Sequence, residues 1–189
     1  MGEPNPGNND YFALIQKNLV PRPYRLIACG DEYPSVESIR AFEKDLGVSL
    51  PDDFVDFSVS RIGGLYIEVK EEFWPPPKRF EVRPFWAMLS GLWVYGFADE
   101  APEFMNILDQ TPKVRERTGL ELTPCLKIIG DANIYAFTQE GALVRWDHET
   151  GEAEPVSGSF LDTLDWELGE LAKRQVRMED ERESFLRRE

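Results

Sequence analysis

His148 is the only histidine in the chain, and it stands between Asp147 and Glu149. An imidazole beside two carboxylates is a residue set for general-base or metal chemistry. Here the triplet falls between two runs that read as strands, so a hairpin position accounts for it without chemistry. Zinc normally takes three or four Cys or His ligands, and the only further candidates are Cys29 and Cys125, far apart in sequence. Neither a metal nor a cofactor is expected. The neighbouring carboxylates Asp52-Asp53, Glu71-Glu72 and Asp99-Glu100 would need to converge to act as an acid–base pair. Adjacent residues point in different directions on a helix or a strand, so sequence neighbours make poor dyads. No Gly-Lys-Ser phosphate loop and no Gly-x-Ser-x-Gly elbow occurs. The expectation is a protein that binds and is not an enzyme.

What the acidic residues do offer is a charged surface. Glu68, Glu71 and Glu72 lie on or just after one expected strand, whereas Asp131, Asp147, Glu149, Glu152 and Glu154 occupy turns and hairpins of later ones. Gathered at one end of a sheet, they would present a negative face to a basic protein partner. The net charge of −14 agrees. From Glu170 to Glu189 six acidic residues balance six basic ones, so the entire negative excess lies in the first 169 residues. Such a domain repels nucleic acid, whose binding rests on Lys and Arg displacing counterions, and it repels anionic membranes. A basic partner, by contrast, is steered toward it.

The elements that must carry these residues follow from hydrophobic spacing. With 189 residues, twelve Phe and five Trp, the chain has material for one aromatic-rich core. Residues 1–9, rich in Pro, Gly and Asn, read as a flexible lead-in, 10–172 as a single domain, and 173–189 as a charged helical or disordered tail. A helix is expected from Ser35 to Leu46, with Gly47 as its stop; Pro51 opens a second, where the helix dipole favours Asp52 and Asp53, and Gly63-Gly64 ends it. The period then changes to two at Leu65, Ile67 and Val69. Further strands are expected at Phe80–Arg83, Leu92–Phe97, Leu126–Ile129, Ile134–Phe137, Leu143–Trp146 and near Glu152–Val156. Pro102 should open a short helix carrying Phe104, Ile107 and Leu108. Ser159 and Asp162 form a capping box for a last helix with Leu161, Leu164, Leu168 and Leu171 on one face. Helices first, a meandering sheet, then a long helix describe an α+β fold: a curved, mostly antiparallel sheet flanked by N-terminal helices and a long C-terminal helix. The two cysteines read as reduced, no signal peptide stands at the N-terminus, and no apolar run approaches the roughly 20 residues of a membrane span. A cytoplasmic protein is expected.

Three pieces of this pattern carry a family resemblance. The first is Ile39-x-x-Phe42-Glu43-x-x-Leu46-Gly47 leading into Leu50-Pro51-x-x-Phe54-x-x-Phe57 and Gly63-Gly64. The second is Leu126-x-Ile128-Ile129-Gly130-Asp131 with the strand of Tyr135 and Phe137. The third is Val144-x-Trp146-Asp147-His148-Glu149, then Ser159-Phe160-Leu161. In this order they resemble the SUKH superfamily, which includes a fungal regulator of cell-wall assembly and many bacterial immunity proteins. One departure is Ile62, where the family usually carries Asn. The resemblance implies a helix-flanked sheet, no cofactor, and a protein that binds and neutralises a cognate, commonly basic toxin. The alternative it leaves open is a regulatory module with a cellular protein partner.

Overall fold

A computed structural model describes residues 8–20, 22–28, 33–77, 79–98 and 100–186. Residues 1–7 of the expected lead-in lie outside the described residues. In chain order the elements are α1 (Asn8–Asn18), β1 (Tyr24–Ala28), α2 (Val36–Leu46), α3 (Asp52–Ser58), β2 (Leu65–Val69), β3 (Gly91–Val94), α4 (Ile107–Thr118), β4 (Thr123–Ile128), β5 (Ile134–Phe137), β6 (Leu143–Trp146), β7 (Ala153–Pro155) and α5 (Phe160–Leu186). The strands form one open sheet in the order β1 to β7, and every neighbouring pair is antiparallel. The α+β reading, with N-terminal helices and a long C-terminal helix, holds.

Local chemistry explains why the elements start and stop where they do. The Ser35 side chain accepts from the Ser38 N–H at the head of α2, and Gly47, at φ 62°, closes its end in the left-handed region. The buried Glu43 then spans the α2–α3 corner: its Oε1 accepts the Leu50 N–H at 2.6 Å, and Arg40 grips both carboxylate oxygens. At α5 the capping box is present, with Asp162 Oδ2 accepting from the Ser159 N–H and hydroxyl while Ser159 Oγ accepts the Asp162 N–H. Asp53 Oδ2 adds a cap from another helix, accepting the Leu161 N–H at 3.2 Å.

The main core lies between one sheet face and α1, α2, α3 and α5. Leu65, Ile67, Leu92, Val94, Leu126 and Phe137 face it from the strands. Phe54 is its hub, meeting Phe97, Phe137 and Phe160 at centroid distances of 6.5, 5.0 and 4.9 Å in tilted or edge-on geometry. Leu164, Leu168 and Leu171 of α5 are fully buried there, as their spacing demands. On the opposite face α4 covers β4 to β6 through Val114, Leu122, Ile134, Ala136, Val144 and Trp146.

Four expectations change. The helix stops at Ser58, before Gly63-Gly64; the glycine pair serves close packing instead. A Cβ on Gly63 would stand 2.1 Å from the Ser58 carbonyl oxygen, and one on Gly96 2.6 Å from the Gly64 Cα. Residues 80–83 form no strand: Arg83 pairs with Glu81 and donates to the Pro75 carbonyl, folding the segment into a loop. The helix expected from Pro102 begins at Ile107, because Asn106 caps it by accepting from the Leu108 and Asp109 N–H groups. It then continues through Pro112 to Thr118. Finally, α1 and β1 precede the first helix read from the sequence.

Candidate protein-binding surface

In an antiparallel meander the even strands all run toward one end of the sheet. The exit from β2, the β4–β5 turn and the β6–β7 turn therefore emerge together. Glu71 and Glu72 follow β2, Asp131 lies in the β4–β5 turn, and Asp147, Glu149 and Glu152 lie in the β6–β7 turn, so topology brings six of the eight candidate residues to the same end. Glu68 and Glu154 sit within β2 and β7. Four strand spacings separate β2 from β6, about 19 Å, so these residues are spread across a broad end of the sheet.

Within it the carboxylates divide by role. Asp147 Oδ1 accepts the Glu149 and Thr150 N–H groups at 2.8 and 3.1 Å, and Oδ2 accepts from Asn133 Nδ2. Those donors hold its carboxyl below the usual aspartate value. Asp131 Oδ1 accepts the Asn133 N–H, Oδ2 takes Arg145 Nη2 at 2.8 Å, and its carbonyl accepts from Lys127 Nζ. Lys127 also donates to the Asn133 carbonyl, and burial pulls its pKa down to about 8. Glu68 accepts the Tyr66 hydroxyl at 2.9 Å. These three acidic residues are engaged within the fold. Glu71, Glu72, Glu149, Glu152 and Glu154 are exposed, and none has an ion-pair partner among the described residues.

Asn133, which sequence reading passed over, braces the surface. Its Oδ1 accepts the His148 N–H at 3.0 Å and lies 2.9 Å from His148 Nδ1, while Nδ2 reaches Asp147. The two acidic turns are thus tied together, and His148 is an exposed hairpin residue in this tie. Asparagine between turns leaves no periodic signal; only the fold places it against residues fifteen positions away. Behind the surface a polar seam runs under α5. Arg145 lies 5.8 Å from the Tyr135 ring centroid, the Tyr135 hydroxyl donates to Glu167 Oε1 at 2.8 Å, and Arg174 approaches Glu167 at 4.0 Å. Burial raises the Glu167 pKa and lowers that of Arg174.

Cys125 is a free buried thiol whose pKa burial pushes well up, while Cys29 lies outside the described residues. Among the described residues no group of three or more His, Cys, Asp or Glu is placed to hold a metal ion, and no helix is long and apolar enough to cross a membrane.

An open antiparallel meander with α1, α2, α3 and α5 on one face, α4 on the other and cross-braced acidic turns at one end defines an α+β domain. A model of the SMI1 / KNR4 family (SUKH-1) matches residues 33–166, and the chain belongs to that family. The family covers toxin-immunity proteins and related fungal regulators, and its members bind partner proteins. α1, β1 and most of α5 lie outside the matched span. No curated protein and no solved structure matches the chain.

Proposed function

We propose that this protein is an immunity protein that binds a basic cognate toxin through the acidic end of its sheet and occludes it stoichiometrically, without turnover, in the cytoplasm of the cell it protects. The observation that carries this reading is the set of exposed carboxylates Glu71, Glu72, Glu149 and Glu152 at that end, with Glu154 in the adjoining strand β7, none of them with an ion-pair partner among the described residues; Asn133 and Asp147 hold the β6–β7 turn that carries Glu149 and Glu152 in shape. Fixed turns matter because a surface ordered before encounter loses little conformational entropy on binding. Family membership supports the same reading, and so does the charge of −14.

Co-expression with a toxin encoded beside this chain's gene, scoring survival and co-purification together, tests it. The Glu149→Lys/Glu152→Lys/Glu154→Lys variant replaces three exposed carboxylates. It should weaken the complex roughly tenfold to a hundredfold and reduce the salt dependence of association. Unchanged protection by the folded triple variant removes this end of the sheet from the mechanism. A stable complex with a non-toxic cellular protein, again lost in the triple variant, would instead assign the surface to a regulatory module.

A further inference from the structure

A second surface lies at the opposite end of the molecule, where β3 ends and α2 and α4 flank a groove. Two neighbouring hollows of about 230 and 330 Å³ lie there and share Ser38 and Leu108 in their walls. Along α2 the lining residues are Ser38, Ala41, Phe42, Asp45 and Leu46, the i, i+3, i+4, i+7, i+8 stripe of a single helix face. Ser38 and Ala41 are small, which is why this stripe leaves a groove while the adjacent stripe with Ile39 is packed. Leu108 and Pro112 form the α4 wall, and Phe97 and Ala98 contribute from the segment after β3. The lining keeps apolar surface in water: Tyr33 is 46% and Leu108 43% exposed.

Two features say what fits there. The charged side chains lining the groove are Asp45 and Glu100, and no Lys or Arg lines it. Four of the five cations on the flanking helices are drawn elsewhere, Arg40 to Glu43 and Asp52, Lys113 to Glu103, Arg115 to Glu121, and Arg117 over the Trp146 ring; the fifth, Lys44, is exposed and does not line the groove. In addition, Pro112 has no N–H, so the Leu108 carbonyl four residues earlier lacks the donor a regular helix would supply. That carbonyl belongs to a residue of the groove wall, which combines apolar surface with negative charge. We infer that the α2–α4 groove binds a basic segment of a partner protein, seating an apolar side chain between Phe42 and Leu108 while a flanking Lys or Arg meets Asp45 or Glu100. A second copy of this chain is a poor occupant, because each copy carries −14. The inference is independent of the acidic-end reading, since the groove and the β6–β7 turn occupy opposite ends of the sheet.

The test is an amide-resolved NMR titration of the full chain with two synthetic pentapeptides, one alternating lysine and leucine, the other glutamate and leucine. The lysine peptide should shift Ser38, Ala41, Asp45 and Leu108 saturably, and the glutamate peptide should leave them in place. Asp45→Lys/Glu100→Lys should weaken the lysine peptide about tenfold. Ser38→Trp, which fills the groove, should abolish its binding. If Ser38→Trp disturbs the fold, the double charge reversal at two exposed positions still decides the matter. Equal response to both peptides, no response at millimolar lysine peptide, or shifts confined to Glu149–Glu154 would overturn the groove; the last would leave the acidic-end reading standing. Concentration-dependent shifts of the same four amides without peptide would overturn it in favour of a second copy.

Discussion

Asp131 was a candidate contact for a partner, and the structure gives it a structural task whose size can be worked out. Replacing it by alanine removes the bond from the Asn133 N–H, about 1 kcal/mol, and the pair with Arg145. The Asp131 side chain is 9% exposed and that of Arg145 40%, so the pair is far from a surface contact, and its loss strands a half-buried guanidinium. About 2 kcal/mol is the expected size of that term. The sum, about 3 kcal/mol, corresponds to a fall in Tm of about 6–12 °C for a domain of this length. Urea unfolding of the wild type, Asp131→Ala, Arg145→Ala and the double variant at pH 7 forms the assay. The double variant should cost about 1–2 kcal/mol less than the two singles together, because each single already destroys the shared interaction. Glu152→Ala, exposed and unpaired, should stay within about 0.5 kcal/mol of wild type. Strict additivity, or a loss below about 1 kcal/mol for Asp131→Ala, would refute the structural role and return Asp131 to the set of partner contacts.

Two further outcomes are expected. Gly63→Ala should destabilise the domain by about 3 kcal/mol or more by urea unfolding, because its Cβ would meet backbone at 2.1 Å; full stability would show that the Ser58–Gly64 turn relaxes freely. Stability should also pass through a maximum near pH 10. Lys127 titrates at about 8 when folded and 10.5 when unfolded, so between those values the unfolded chain holds the extra proton and stability rises with pH. Tyr24, Tyr66 and Tyr95 have folded values raised to about 12 and Tyr135 is raised as well. Their contribution is whole below pH 10 and is lost as pH climbs toward 12. Lys127→Met should erase the rising limb and keep the fall; a rising limb that survives the substitution would exclude Lys127 as its source.

Much of this protein was legible in its residues because the informative signals are local. The helical spacing of Ile39, Phe42 and Leu46, the stop at Gly47, the alternation from Leu65 to Val69 and the Ser159–Asp162 box each act within a few positions. Fold class followed from them. The clustering of Glu71, Glu72, Glu149 and Glu152 at one end was also foreseeable, because a meander returns alternate turns to the same side. Elements without such signals escaped. β1 exposes Leu26 and Ile27 on successive positions and shows no clean alternation, and Pro112 hides the continuation of α4 to Thr118 by breaking the expected helical chemistry from within. Which acidic residues are available was beyond the sequence altogether. Asp131 and Glu152 look alike in a string of letters, and only the tertiary structure brings Arg145 and the Asn133 N–H to one and leaves the other in water. The groove between α2 and α4 is likewise a tertiary product: a stripe of Ser, Ala and Asp becomes a site only when a second helix stands across from it. Sequence determined the local geometry and the sign of the charge; the packing of distant elements decided which charges remain free to act.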